Sequence, residues 1–358
     1  MQSFEIENDI QQLLKWFEKN ARSLPWREQR TPYKIWVSEI MLQQTRVEAV
    51  RGYFERFMKA LPSISDLAVV SEDELLKLWE GLGYYNRVRN MQRAACVVCE
   101  QYQGELPADY QTLLKLPGIG SYTAGAIASQ AFDIPEPAVD GNVLRVLARI
   151  DGDDRDIADL SVKKEIEERL RHVMQTVLPD RRAGDFNQAL MELGAIVCVP
   201  NGVPKCEQCP MQYRCRAYKE DSWSLLPVKT PKKPRVIEDK TVLIIVNDRE
   251  VLIRKRDSKG LLAGMYEFPN TEGCLDEKTV LDYVAGLGLM SLRIEPLPGA
   301  KHIFTHREWH MKAYRIHIAD ETEADRLMKN MQFVNRQQIE TTYAVPSAFS
   351  IFTKYVSI

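Results

Sequence analysis

No run of apolar residues in this 358-residue chain approaches the ~18 that a membrane-spanning helix requires. A transmembrane protein is therefore not expected. The start, MQSFEIENDIQQLLKWF, is acidic-polar and then amphipathic. It lacks the basic opening and apolar block of a signal peptide, so the chain reads as cytoplasmic. An excess of one charge is also missing. Lys and Arg number 48 against 50 Asp and Glu, a formal net charge of −2. A globally basic nucleic-acid binder is excluded, although a local basic surface is not. Cysteine is scarce, at seven residues, and cytoplasmic proteins seldom carry structural disulfides. Internal repeats and low-complexity tracts are absent. What is present is 45% apolar residues, enough to build real cores and too many for a disordered chain. The length suggests two or three domains.

Two structural patterns divide the sequence. Residues 5–222 read mostly as helices. Leu13, Leu14 and Phe17 mark the first. A helical period then runs through Ile35, Ile40, Met41, Val47, Val50, Phe54 and Phe57. Thr31 is placed to cap it, and Pro32 stands at its first position. Ser71 with Glu74 forms a capping-box pattern before another helix. After WSLLPVKTPKKPRVIEDK the pattern changes. TVLIIVND and EVLIRKRD are β-rich runs around a short polar turn, a hairpin signal. A semi-rigid Pro/Lys linker is expected over 223–237.

Four of the seven cysteines fall within CVPNGVPKCEQCPMQYRC, residues 198–215. Seven, two and five residues separate Cys198, Cys206, Cys209 and Cys215. Zinc sites more often use two short C-x2-4-C pairs. A single close pair with two wider ligands suits an iron–sulfur cluster on four thiolates, with zinc and free thiols as alternatives. Cys96 and Cys99 sit in an apolar helical pattern and read as core residues rather than a redox pair. From Cys198 to Arg235, eight Lys and Arg face three acids. This stretch is a solvated face or a phosphate-tracking surface.

LPGIGSYTAGAIASQAF, residues 116–132, places Gly118 and Gly120 in a tight turn before a helix of small residues. Such a turn presents backbone N–H groups to a phosphate. Asp140 follows 18 residues after Tyr122, in AVDGNVLRVLAR. These strings, with the cysteine loop after FNQALMELGAIVC, resemble the endonuclease III superfamily of helix-hairpin-helix DNA glycosylases. The first cysteine gap is one residue longer than in familiar relatives, and the Pro-Asn-Gly turn is expected to absorb it. LPWR (24–27), WVSEIMLQQTRVEAV (36–50) and WEGLGYYNRVRN (79–90) resemble the MutY family within it. EVLIRKRDSKGLLAGMYEFPN resembles the start of a Nudix domain, as that family's C-terminal domain does.

The resemblance implies a multidomain chain. An all-α helix-hairpin-helix region with a 4Fe–4S loop would occupy 1–222. Within it, a six-helix subdomain would cover about 25–135, and an iron–sulfur subdomain would combine residues 1–24 with 136–222. An α+β Nudix-like lesion-recognition domain would follow at 238–358. The implied activity is hydrolysis of adenine mispaired with 8-oxoguanine or guanine in duplex DNA, by a monomer, nucleoid-associated if bacterial. The alternatives are a pyrimidine or thymine-mismatch glycosylase, an iron–sulfur redox carrier and a catalytically silent lesion sensor.

Cleaving an N-glycosidic bond builds positive charge on the sugar and negative charge on the base. One neutral carboxyl and one ionised carboxyl suit that chemistry. Glu39, mid-helix among Trp36, Ile40 and Met41, should be raised in pKa by burial and donate a proton. Asp140, ahead of a new helix, should stay ionised at the helix N-terminus. The resemblance implies that Glu39 protonates adenine N7 and that Asp140 stabilises the sugar cation, supported by Tyr122 and Asn142. It implies that Arg27, Leu42 and Gln188 line the adenine pocket. Gln44 and Tyr84 would be wedges holding the duplex open. Relatives that cut the strand carry a Schiff-base lysine where Tyr122 stands, so no lyase step is expected.

The C-terminal half lacks the Glu-rich Mg²⁺-binding helix of a Nudix hydrolase, so it should recognise rather than hydrolyse. His302, His306 and His310 are evenly spaced, but no neighbouring cysteine supports zinc. Their stretch resembles the family's 8-oxoguanine-reading loop, with Phe304, Thr305 and His306 in the contact positions. Thr305 stands where serine is common and keeps the hydroxyl.

Overall fold

The computed structural model describes residues 7–231, 234–319 and 330–356. Lys232 and Lys233, two cations of the basic stretch, lie outside them. No helix among the described residues is long and apolar enough to cross a membrane. The chain divides into two compact units. Met1–Val69 joins Arg89–Pro231, and Val70–Val88 joins Lys232–Ile358.

The first unit is helical. Thr31 accepts from the Lys34 N–H and Pro32 opens the helix Pro32–Leu42. The apolar period reads on unbroken to Phe57, but the helix does not. It stops at Gln43 and restarts as Val47–Ala60. Gln44 takes a left-handed φ of 62° in the gap. Residues 43–46 span about one helical turn. The buried phase is therefore the same on both sides, and periodicity cannot detect the break.

The helix Ser121–Phe132 owes its small residues to a close neighbour. A Cβ on Gly125 would meet the Pro137 carbonyl at 2.0 Å. The extended stretch on that helix leads to Asp140, whose carboxylate caps the helix Gly141–Asp151. That helix shares a core with Glu7–Asn20, Leu160–Thr176 and Ala183–Ile196. Phe186, Leu190 and Leu193 are fully buried there, each worth roughly 1.5–3 kcal/mol. Cys198, Cys209 and Cys215 pack on the same core. Buried Asp9 of the first helix accepts from Tyr213 and Arg214, which ties the N-terminal helix to the cysteine loop.

Part of the expected linker is docked. Leu226 is buried and its carbonyl accepts from Arg149 Nε at 2.9 Å. Ile157 N–H reaches the Val228 carbonyl at 3.1 Å, and Thr230 bonds Asp156.

The second unit is a curled sheet. Its strands are β1 (Val236–Val246), β2 (Val251–Lys255), β3 (Tyr266–Glu267), β4 (Asn270–Glu272), β5 (Ser291–Ile303), β6 (Arg307–Ile318) and β7 (Met331–Val334). The order is β3-β2-β1-β6-β5, with β4 on β1 and β7 on β2. The hairpin expected from TVLIIVND and EVLIRKRD is β1–β2, with Val246 opposite Val251. The β1–β6 pair is parallel. Residues 241–246 are all buried because both sheet faces are covered. Val242, Ile244 and Val246 join Ile339, Phe349 and Phe352, whereas Leu243 and Ile245 join Val280 and Val284.

The segment Val70–Val88, early in the sequence, packs in this sheet-based unit. Ser71 caps its helix Glu72–Leu78. Asp73 accepts from Lys255 at 2.6 Å and from Tyr266 at 3.2 Å. Lys77 donates to the carbonyls of Ile339 and Tyr343 at 2.8 and 3.2 Å. Glu80 accepts from the Val345 N–H at 2.8 Å.

Candidate active site and cysteine pocket

One cleft of about 1090 Å³ in the helical unit gathers residues from five separate stretches of sequence. Arg27, Glu39, Leu42, Gln44, Tyr122, Asp140, Asn142 and Gln188 all line it. The helix Pro32–Leu42 delivers Glu39 and Leu42. The hairpin helix delivers Tyr122, and the cap of the next helix delivers Asp140 and Asn142.

Glu39 is buried, with both carboxyl oxygens engaged. Tyr122 Oη donates to Oε2 at 2.5 Å, and Gln130 Nε2 to Oε1 at 3.1 Å. Burial raises its pKa above the ordinary carboxylate range against those two hydrogen bonds, and the nearby Asp140 charge adds to the rise. Tyr122 is lifted well above its usual value, by burial first and then by Glu39, so it remains a phenol donor.

Asp140 accepts the Asn142 and Val143 N–H groups at 2.9 and 2.8 Å, and Asn142 Nδ2 at 2.7 Å. The expected opposite shifts of the two carboxyls do not occur. Burial raises Asp140 as well, outweighing its helix N-terminal hydrogen bonds and Arg145. The pair still differs. Asp140 has two helical N–H donors for its charge, and that charge disfavours ionisation of Glu39.

Gln188 is buried and its Nε2 has no hydrogen-bond partner, leaving an amide donor in the cleft wall without a protein acceptor. Arg27 is held by Glu192 at 2.9 Å and by the Arg22 carbonyl at 3.0 Å. Glu192 is buried, which alone would raise it, but Arg22 and Arg27 bring it below its usual value. The sequence reading missed Glu192, Arg22 and Gln130. They fall on polar positions of helices or loops that look solvated until the chain is folded.

Arg145 was also missed. It donates to Asn142 Oδ1 at 2.9 Å, to the Gly194 carbonyl at 2.8 Å and to the Cys198 carbonyl at 2.9 Å. One guanidinium therefore joins the support of Asp140 to the start of the cysteine loop. A Cβ on Gly194 would lie 2.6 Å from Asn142 Cβ. The signal for Arg145 and Arg149 was a pair of arginines spaced by four on the buried face of NVLRVLAR.

Cys198, Cys206, Cys209 and Cys215 line one pocket with Val146, Leu193 and Trp223. Arg149 Nη1 reaches Cys198 Sγ at 3.4 Å. Burial pushes the Cys209 thiol up to about 12 and raises Cys206 and Cys215. Among the described residues no group of three or more His, Cys, Asp or Glu is placed to hold a metal ion. Three cations of the basic stretch serve the fold: Arg214 pairs with Asp9, Arg216 with Glu220 and the Asp151 carbonyl, and Arg235 with the Phe304 carbonyl. Lys205, Lys219 and Lys229 are exposed.

Gly118 has a φ of 76°, and a Cβ there would meet Asn90 Cβ at 2.6 Å; a Cβ on Gly120 would meet nothing. The helix Ser121–Phe132 starts directly after this turn. Cys96 and Cys99 are half-buried, with Cys96 bonded to the Ala68 carbonyl.

In the sheet unit, Phe304, Thr305 and His306 form the tip between β5 and β6. Phe304 packs edge-on against Trp309 and His302, at 4.7 and 4.6 Å between ring centroids. His310 bonds Glu308 at 2.7 Å. His306 is exposed. Tyr84 is half-exposed with a left-handed φ of 50°, and its hydroxyl lies 2.7 Å from Thr305 Oγ1.

Two family models match the chain. Residues 37–172 match the HhH-GPD superfamily of base excision DNA repair proteins, and residues 241–354 match the NUDIX domain. The adenine DNA glycosylase of Buchnera aphidicola (subsp. Schizaphis graminum) is 38% identical over 73% of this chain and 74% of its own length. The adenine DNA glycosylase of Homo sapiens is 31% identical over 96% and 73%. A thermostable thymine-DNA glycosylase superposes with a TM-score of 0.53 at 29% identity, covering 59% of this chain and 95% of that one. A trapped endonuclease III–DNA covalent intermediate gives 0.51 at 25%, covering 62% and 99%.

Proposed function

This chain belongs to the adenine DNA glycosylases, and we propose that its helical cleft hydrolyses adenine out of an A·8-oxoguanine or A·G mispair after flipping the base from the duplex. The carrying observation is the cleft itself, where a buried acid, a helix-capped carboxylate and an unpartnered amide donor face one space.

A flipped adenine offers only acceptors on its ring nitrogens, and Gln188 Nε2 supplies a donor. Glu39, kept protonated by burial and by the Asp140 charge, delivers a proton to N7 as the glycosidic bond breaks. Tyr122 and Gln130 fix the orientation of its carboxyl. Asp140, held in place by Asn142 and the helix N-terminus, lies against the sugar cation. Water then adds to the sugar and passes a proton back to the Glu39 carboxylate, which restores the acid. Tyr122 occupies the position of the lyase lysine, so the product is an intact strand with an abasic site.

The four thiols around one pocket fit a 4Fe–4S cluster better than a single zinc. Cys198, Cys206, Cys209 and Cys215 would hold it. The cluster would cross-link the loop that Arg145 ties to the cleft. The hairpin at Gly118 and Gly120 binds a DNA phosphate, Gln44 and Tyr84 enter the base stack, and Phe304, Thr305 and His306 read the 8-oxoguanine. Thr305 can accept from the N7–H that undamaged guanine lacks.

A panel of duplexes carrying A·8-oxoguanine, A·G, T·G and damaged pyrimidines tests this reading by single-turnover excision. Release of adenine from the first two supports it. Release of thymine or pyrimidines instead establishes the thymine-glycosylase alternative that the helical unit's structural likeness favours.

A further inference from the structure

We propose that Arg87 is a positioning residue for duplex opening, holding the Tyr84 ring and backbone in the pose from which the ring enters the base stack. The inference rests on the assignment of Tyr84 as a wedge. Tyr84 has a left-handed φ of 50° and a half-exposed ring, a combination that an aromatic residue adopts only where its surroundings impose it. Arg87, three residues on, supplies those surroundings. Its guanidinium carbon lies 5.5 Å from the Tyr84 ring centroid and 5.4 Å from that of Trp79. Its Nη2 donates to the carbonyls of Leu82 and Gly83, both at 3.1 Å, and its backbone N–H donates to the Tyr84 carbonyl at 2.9 Å. Trp79 Nε1 adds a second donor to the Gly83 carbonyl at 3.1 Å.

Three consecutive residues, 82 to 84, are thus tied to one side chain. A planar fork that both stacks and donates twice can do this, and a lysine cannot. Burial lowers the guanidinium pKa to about 10, which leaves it charged at neutral pH and able to attract both ring faces. The far end of the Tyr84 ring is held by Thr305. The wedge is therefore ordered before DNA arrives, and its ordering cost does not fall on binding.

The test is a double-mutant cycle on the full chain, in an Asp140→Asn background so that the duplex stays intact. Affinity for an A·8-oxoguanine duplex is measured together with the fluorescence of a neighbouring 2-aminopurine, which reports unstacking. Arg87→Lys should weaken binding about tenfold and remove most of the fluorescence gain. In a Tyr84→Ala background it should add nothing. A milder Trp79→Phe change, which deletes the second donor to Gly83 and shrinks the ring beside Arg87, should weaken binding about threefold and also fall silent with Tyr84→Ala. An undiminished Arg87→Lys effect without Tyr84, or wild-type binding and fluorescence in both single variants, overturns the proposal. A Tyr84→Ala variant that binds and unstacks the duplex like the background protein overturns the wedge assignment, and the proposal with it.

Discussion

Tyr84 Oη and Thr305 Oγ1 lie 2.7 Å apart, joining two residues 221 positions apart in sequence. The side chain expected to open the duplex and the one expected to read the lesion are thereby hydrogen-bonded in the DNA-free protein. Thr305→Ala should narrow the single-turnover preference for A·8-oxoguanine over A·G by roughly twofold to tenfold, the value of one neutral hydrogen bond. Tyr84→Phe should narrow it less, because the ring remains. If the two hydroxyls act as a pair, the double variant will fall short of the product of the single effects.

Asp140→Asn should retain lesion DNA yet excise adenine at least about 100-fold more slowly, since the amide keeps the cap and loses the charge facing the sugar cation. Glu39→Gln should behave alike, because it has no proton to deliver. Single-turnover rates at saturating enzyme decide both. A near wild-type rate in either variant removes that residue from the mechanism.

Glu39→Gln should also make the protein more stable at neutral and alkaline pH. Burial raises the folded-state pKa of Glu39 above its unfolded value. Its favourable contribution is therefore complete below the unfolded pKa and is lost as pH rises through the folded one. The melting-temperature advantage of the variant should shrink as pH falls towards 4.5, the ordinary glutamate value. An advantage that grows on acidification would contradict the buried-acid assignment.

Gly194→Ala tests the wall behind Asp140. The new Cβ would press on Asn142 Cβ at 2.6 Å, at a cost of about 1–3 kcal/mol of overpacking. Excision should slow by roughly tenfold or more, although residue 194 faces no substrate. Unchanged rates in a folded variant would show that Asn142 tolerates displacement.

The purified protein should be yellow-brown with about four irons per chain. Cys206→Ser should reduce iron content, thermal stability and DNA affinity together. Metal analysis returning one zinc and no iron would overturn the cluster assignment.

Much of this was legible because the informative residues are tied to backbone conformations. The glycines of LPGIG and the aspartate ahead of NVLRVL occupy positions that few other residues could fill, so their spacing pointed to the hairpin and the cap directly. The split of the long helix at Gln44 was illegible because a one-turn gap preserves the apolar phase. The shift of Asp140 was misjudged because a helix N-terminus can be seen in sequence, whereas the depth of burial around it cannot. Glu192 and Arg22 were missed because their pairing spans 170 positions. The placement of residues 70–88 was hidden by their helical pattern, which says nothing about the surface on which a helix docks.

That last placement bears on how the chain can be taken apart. It passes between the two units at three points, near residues 69, 88 and 231. The sheet unit is therefore assembled from two separate pieces of chain, and a cut at the Pro/Lys stretch does not release a self-sufficient module. It leaves Asp73, Lys77 and Glu80 without Lys255, Tyr266, the Ile339 and Tyr343 carbonyls and the Val345 amide. A shortened enzyme would lose the tip at residues 304–306 and the anchorage of Tyr84 in one step. Chimeras that exchange the sheet-based unit between relatives should function only when residues 70–88 travel with it.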